Sequence, residues 1–206
     1  MAEKANKVKF NLKNTHYALL TISEDGTPTF GVPVPMPGSV SISLDANGEP
    51  ENFYADGGVY YVINNNCGYD GDLELALIPE SFRTDVLKET LDSKGVLIEN
   101  SEVELAAFAL LFEFDGDQKH IRHVLYNCSA SRPGIEGKTN EDSKEVQTEK
   151  LSLKAVPLAN GMVKAKTGNT TDATTYADWY KAVYVPAAES DAATQSAAKS
   201  AKSVKE

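Results

Sequence analysis

The sequence predicts a mainly β chain: an antiparallel β-sandwich or barrel-like fold with one flanking α-helix and a short C-terminal helix. Three observations carry this. Apolar residues recur with period 2 in several short runs, Asp-Gly and Asn-Gly pairs punctuate the chain, and only two stretches show helical spacing. Many short strands joined by tight turns are the pattern of an antiparallel sandwich or barrel.

The alternating runs are Val8, Phe10 and Leu12; Val40, Ile42 and Leu44; Leu73, Leu75 and Leu77; and Leu151, Leu153 and Ala155. Each is expected to turn one apolar face inward. Residues 105–114 (LAAFALLFEF) are apolar on both sides, the signature of a central strand covered on both faces. The expected turns are Asp25-Gly26, Asn47-Gly48, Asp56-Gly57, Asp70-Gly71, Asp115-Gly116 and Asn160-Gly161, since these pairs tolerate positive φ. The strongest hairpin joins residues 105–114 to residues 119–128 across Asp115-Gly116-Asp117-Gln118.

In IPESFRTDVLKETL (residues 78–91), Pro79 suits the first helical position, and Phe82, Val86 and Leu87 form an apolar stripe to lie against a sheet. In TTYADWYKAVY (residues 174–184), Tyr176, Trp179, Tyr180, Val183 and Tyr184 share a helical face that Pro186 terminates. Packing onto the body is the expected role of that stripe, with a subunit contact as the alternative. The four prolines of residues 28–38 remove backbone donors and point to an edge connector. Residues 45–66 form a polar excursion around one short strand, GVYYVI (residues 58–63).

Length and composition bound the function. The chain has 206 residues, 41% hydrophobic and 24% charged, enough to build a core. Twenty basic against 30 acidic side chains leave a formal charge of -10, which disfavours tight nucleic-acid binding because affinity comes from cations that displace counterions. There is no long apolar run and no apolar signal at the start, so neither a membrane nor an exported chain is expected. The organisation expected is one domain over residues 1–186 and a low-complexity, disordered tail over residues 187–206, where three lysines offset three acids.

No chemistry is legible. His120 and His123 are spaced to point to opposite strand faces, and His16 has no neighbouring ligand. Asp70-Gly-Asp72 and Asp115-Gly-Asp117 lack the remaining oxygens of a calcium loop and read as turns. The carboxylates Glu141, Asp142 and Glu145 lie in a wholly polar segment and read as surface. Cys67 and Cys128, far apart and without a C-x-x-C partner, read as free thiols. No catalytic, cofactor-binding or metal residue is assigned, no cofactor is expected, and the chain is not read as an enzyme.

Three long strings carry a resemblance: GTPTFGVPVPMPGSVSISLDANGEPENFYADG (residues 26–57), YYVINNNCGYDGDLELALIPESFRTDVL (residues 60–87) and FALLFEFDGDQKHIRHVLYNCSASRPGIEGKTNEDSKEVQTEKLSLKA (residues 108–155). They resemble the major tail proteins, or tail-tube proteins, of long non-contractile-tailed phages and prophages of Gram-positive bacteria. The resemblance spans roughly residues 3–186 and leaves the tail outside. It implies a tail-tube fold, hexameric rings of this chain stacked into a tube, and an acidic lumen through which DNA passes without specific binding. The implied partners are further copies of the chain, the tape-measure protein, and the tail-tip and tail-terminator proteins, with assembly in the host cytoplasm and residence in the virion. Three regions are expected to act as arms between copies: the N-terminal segment, residues 45–66, and the region after Thr167. The alternative is a β-sandwich recognition module, a baseplate, decoration or carbohydrate-binding protein, that would use Tyr176, Trp179, Tyr180 and Tyr184 as an exposed platform.

Overall fold

The computed structural model describes residues 5–139 and 144–186. The tail at 187–206 and two of the polar carboxylates, Glu141 and Asp142, therefore lie outside the described residues. The first half of the chain forms β1 (Lys9–Ile22), β2 (Pro28–Phe30), β3 (Val34–Pro35), β4 (Ser39–Asn47), β5 (Glu51–Ala55), β6 (Gly58–Ile63) and β7 (Gly68–Leu75), followed by α1 (Glu80–Asp85). The second half forms β8 (Thr90–Leu91), β9 (Leu97–Ile98), β10 (Phe108–Gly116), β11 (Ile121–Ala130), β12 (Glu149–Ala155), β13 (Lys164–Lys166) and α2 (Ala173–Asp178). The chain is mainly β and antiparallel, as the sequence pattern requires.

The main sheet runs β2-β1-β10-β11-β12-β7-β4, with β3 added to β1 and β13 added to β11. It curls like a barrel: β3 pairs with His16 and Tyr17, and Ser39 at the start of β4 donates its hydroxyl to Thr15 Oγ1 at 2.7 Å. The inner face buries Tyr17, Leu73, Phe108, Leu110, Leu151 and Leu153. α1 plugs this interior through Phe82, Val86 and Leu87, all buried, with Phe82 edge-on to both Tyr17 and Phe108 at 5.2 and 5.3 Å. Burial of each such side chain stabilises by roughly 2–3 kcal/mol. The outer face of the same strands buries Ala18, Ala109, Leu111, Val124 and Tyr126 under Leu158 and Trp179. β10 is thus a central strand covered on both sides, and its hairpin with β11 has the expected partners, Phe114 opposite Ile121 and Leu110 opposite Leu125.

Several expectations fail in detail. The outermost residue of three alternating runs is not core: Val8 precedes β1, Val40 is half exposed, and Leu77 is 67% exposed beyond the end of β7. Phe10 is exposed as well, because bulges near Asn11 and Asn14, both at positive φ, detach the first residues of β1 from the core register. Residues 105–107 precede β10 instead of belonging to it. Asp70-Gly71 is not a turn: it lies within β7, where Gly71 faces Leu44 and Leu153, and a Cβ there would stand 1.9 Å from the Ser43 carbonyl oxygen. Glycine is present for close strand approach, which a dipeptide signal cannot distinguish from a turn. Asn47-Gly48 closes no hairpin within the sheet, but leads the chain out of it.

Both helices are six residues long, shorter than their periodicities suggest. α1 ends because Lys88 takes φ 60, after which Thr90 and Leu91 pair with Ile98 and Leu97. The Asp92 carboxylate accepts from the Lys94 and Val96 amides at 2.8 Å, giving the backbone a turn in place of another helical one. Pro79 is the N-cap residue, not the first helical one. α2 starts on Asp172, whose carboxylate accepts from the Thr174 and Thr175 amides at 2.9 Å.

Candidate assembly interface

Two of the three regions expected to act as arms pack, over their described residues, on their own chain. The described N-terminal residues are tied to their own chain: Asn6 donates to the Lys119 carbonyl at 2.7 Å and accepts from the Gln118 and Lys119 amides. The region after Thr167 folds back onto the barrel. Trp179 is 3% exposed, and its indole N–H donates to the His123 carbonyl at 3.4 Å. Beside it, Arg122 pairs with the buried Glu113 at 3.0 Å, donates to the Tyr176 carbonyl and lies 3.9 Å from the Tyr176 ring centroid. Glu113 also accepts from Asn14 at 2.6 Å and from the Tyr180 hydroxyl at 3.2 Å. Burial and then the Glu113 charge push the Tyr180 hydroxyl well above its ordinary value. The aromatic stripe is a packing surface clamped by a buried ion pair: of the four residues of the expected platform, Trp179 is buried, Tyr176 and Tyr180 are half-buried, and Tyr184 alone is exposed, stacked on Trp179.

The middle region projects from the barrel. Residues 51–63 form a separate antiparallel hairpin of β5 and β6, outside the main sheet. Its two-residue turn has Asp56 at φ 51 and Gly57 at φ 80, the paired positive values of a type I′ turn, as the Asp-Gly signal indicates. Every residue of β6 is exposed, including Val59, Tyr60 at 72%, Tyr61, Val62 and Ile63, and on β5 Phe53 and Tyr54 are exposed too. Both faces of an apolar two-stranded ribbon therefore face solvent. Isolated hairpins are marginal in water and exposed apolar strands are aggregation hazards, so such a ribbon requires cover.

The root of the ribbon is held firmly. The Cys67 amide donates to the Asn47 carbonyl at 2.9 Å, and Asn47 donates to Asp70 at 2.8 Å. Gly48, at φ 107, passes so close to Asn65 that a Cβ would sit 2.4 Å from its carbonyl oxygen. Gly68, at φ 101, is equally confined against the Ala155 carbonyl. The arm thus leaves the barrel through two fixed glycine corners.

Beside the arm, β4 ends the sheet, and its outward edge has no strand partner among the described residues. The solvent face of β4, β7 and β12 is polar. Asp72 accepts from Ser152 at 2.8 Å and pairs with Lys150, while Glu74 accepts from Thr148 at 2.6 Å and Ser41 at 2.8 Å. These hydroxyl hydrogen bonds, first from Ser152 and from Thr148 respectively, hold both carboxyls below their ordinary range. A second small hairpin, β8 with β9, exposes Leu91, Val96 and Ile98.

The remaining residues of interest from the sequence are dispersed. His120 Nδ1 lies 2.6 Å from Asp115. His123 stacks on Phe112 at 5.1 Å, and burial, followed by the charges of Lys166, Lys9 and Lys164, lowers its pKa to about 4. His16 lies against Tyr180, the ring centroids 4.6 Å apart and the planes tilted by 32°. Asp115-Gly116 does fall at the end of a strand as expected, and Asp117 accepts the Lys7 amide at 2.6 Å. Both cysteines are free: Cys67 is exposed, and burial raises the Cys128 thiol to about 12, which makes it inert. Among the described residues, no helix is long and apolar enough to cross a membrane.

No family model matches the chain, and no curated protein matches it. Among solved structures, it is similar to the cap that terminates the tube of an anti-feeding prophage, at 7% identity and a TM-score of 0.44. That similarity covers 80% of this chain and 95% of the cap protein.

Proposed function

We propose that this chain is a structural subunit of a phage tail, a major tail protein whose copies close into rings and stack into a tube that conducts DNA. The observation that carries this reading is the β5–β6 ribbon, an apolar hairpin rooted at two rigid corners and, among the described residues, exposed along all of β6. One chain with an arm and a separate receiving surface makes a heterologous contact, which repeats head to tail and builds a ring or a tube according to its rotation. The free edge of β4 supplies hydrogen-bonding groups for a further strand, as β-augmentation requires. On the solvent face of β4, β7 and β12 four carboxylates, Asp45, Asp70, Asp72 and Glu74, outnumber two lysines, Lys150 and Lys154, a balance that suits a wall past which a polyanion slides. Hexameric symmetry and the tape-measure, tail-tip and tail-terminator partners follow from the family resemblance of the sequence, as does a place in the virion.

Negative-stain electron microscopy of the purified protein at rising concentration, with light scattering on the same samples, tests this. Rings or hollow tubes are expected. A protein that stays monomeric both alone and with tail-tip proteins added contradicts the reading.

A further inference from the structure

The charge of the chain is unevenly placed. No Lys or Arg occurs between Lys13 and Arg83, while ten carboxylates do, so this stretch alone holds the whole formal charge of -10. The β5–β6 ribbon belongs to it: Glu51 and Asp56 are exposed among Phe53, Tyr54 and Tyr60, and neither has an ion-pair partner among the described residues.

The opposite sign gathers where the barrel wall opens. β11 pairs with β12 only through residues 128–130 and with β13 through residues 123–125, so β13 diverts β11 away from the β7–β4 side. The gap is a cleft of about 330 Å³, lined by Ile42, Leu44, Tyr69, Phe112, Phe114 and His123. Lys9 and Lys164 stand at its rim, their ammonium groups 4.5 Å from the Phe114 centroid and 4.2 Å from the Tyr69 centroid. Lys166, the cross-strand partner of His123, is the third cation. All three lysines are exposed, and among the described residues none has a carboxylate partner. Burial and, after it, the charges of Lys166, Lys9 and Lys164 together lower the pKa of His123.

We infer that this cleft receives the end of the β5–β6 ribbon of a second copy, with Tyr54 or Tyr60 entering among Phe114, Tyr69 and His123 and the carboxylates of Asp56 and Glu51 meeting the three lysines. This rests on the proposed self-assembly and names its receiving surface. Charge complementarity selects the occupant: the ribbon is acidic and aromatic, and the cleft is aromatic and rimmed by cations without carboxylate partners, so each supplies what the other lacks. Among the described residues of one copy, all of β6 and residues 51–54 of β5 are exposed, and the inferred contact is made between copies. A chain that carries both halves on different surfaces propagates.

Carbodiimide cross-linking of the full-length protein tests this, because the reagent joins a carboxylate to a lysine amine only where the two already touch. Equal amounts of ¹⁴N- and ¹⁵N-labelled protein are mixed at a concentration that supports association, cross-linked and mapped by mass spectrometry. Mixed-isotope peptides joining Glu51 or Asp56 to Lys9, Lys164 or Lys166 are expected. The triple variant Lys9→Gln, Lys164→Gln, Lys166→Gln is expected to associate at least about tenfold more weakly, with an unchanged thermal melt. Mixed-isotope links that map only to other lysines, or a folded triple variant that associates normally, overturn the cleft while leaving self-assembly standing. Absence of any mixed-isotope link, in a protein that is monomeric at every concentration, overturns both. If the triple variant fails to fold, the link map of the unaltered protein decides.

Discussion

β10 and β6 are both short apolar strands, and the chain treats them in opposite ways. Phe108, Ala109, Leu110 and Leu111 on β10 are fully buried, alternately against the barrel interior and against the α2 side. Val59, Tyr60, Tyr61 and Val62 on β6 are all exposed. The difference is not hydrophobicity but company: β10 lies between β1 and β11, whereas β6 has only β5. A covered apolar strand stabilises its own fold, and an uncovered one carries the same driving force outward, to be realised on association.

Substitution should separate the two strands. Phe108→Ala removes a ring packed edge-on against Phe82 and should destabilise by about 3–5 kcal/mol in chemical denaturation. Arg122→Ala tests the outer cover of β10, because it leaves Glu113 buried without its cation. A loss of about 3 kcal/mol is expected, with Trp179 fluorescence shifting to the red as α2 loosens. His123, beside Phe112 on β11, gives the comparison a pH axis. Its folded pKa of about 4 lies below the ordinary 6.5, so the neutral ring is favoured in the folded state. Its contribution, on the order of 3 kcal/mol, is complete above about pH 6.5 and lost as pH falls towards 4. In His123→Gln the slope of stability against pH across that window should flatten. On β6, Tyr60→Ser should change monomer stability by less than about 0.5 kcal/mol while lowering self-association in sedimentation, an effect that would make no sense for a core residue.

The sequence revealed the core strands better than their limits. Period-2 alternation located β12 and the inner face of β7, and a run apolar on both sides marked β10, because two-sided burial leaves no polar positions. The failures share a cause: dipeptide and periodicity signals are local, and contacts across the sheet override them. Gly71 looks like a turn residue until β4 is seen passing against it. Met36, in the proline-rich run, is buried because its amide pairs with Thr15, a partner that alternation does not announce. The β5–β6 hairpin was legible from Asp56-Gly57 and GVYYVI. The aromatic stripe of residues 176–184 was expected to pack onto the body and does so, but the Glu113–Arg122 pair beneath it was not legible. The basic cleft was not legible at all, since Lys9 and Lys164 meet only through the fold.

The central claim is that the uncovered ribbon joins copies. Replacing residues 50–64 with Gly-Ser tests it while keeping β4 paired to β7 as far as Asn47 and Gly68. Electron microscopy and light scattering of this variant beside the unaltered protein should show rings or tubes from the unaltered protein only, with both folded by circular dichroism. Tubes of normal appearance from the ribbonless variant would contradict the account.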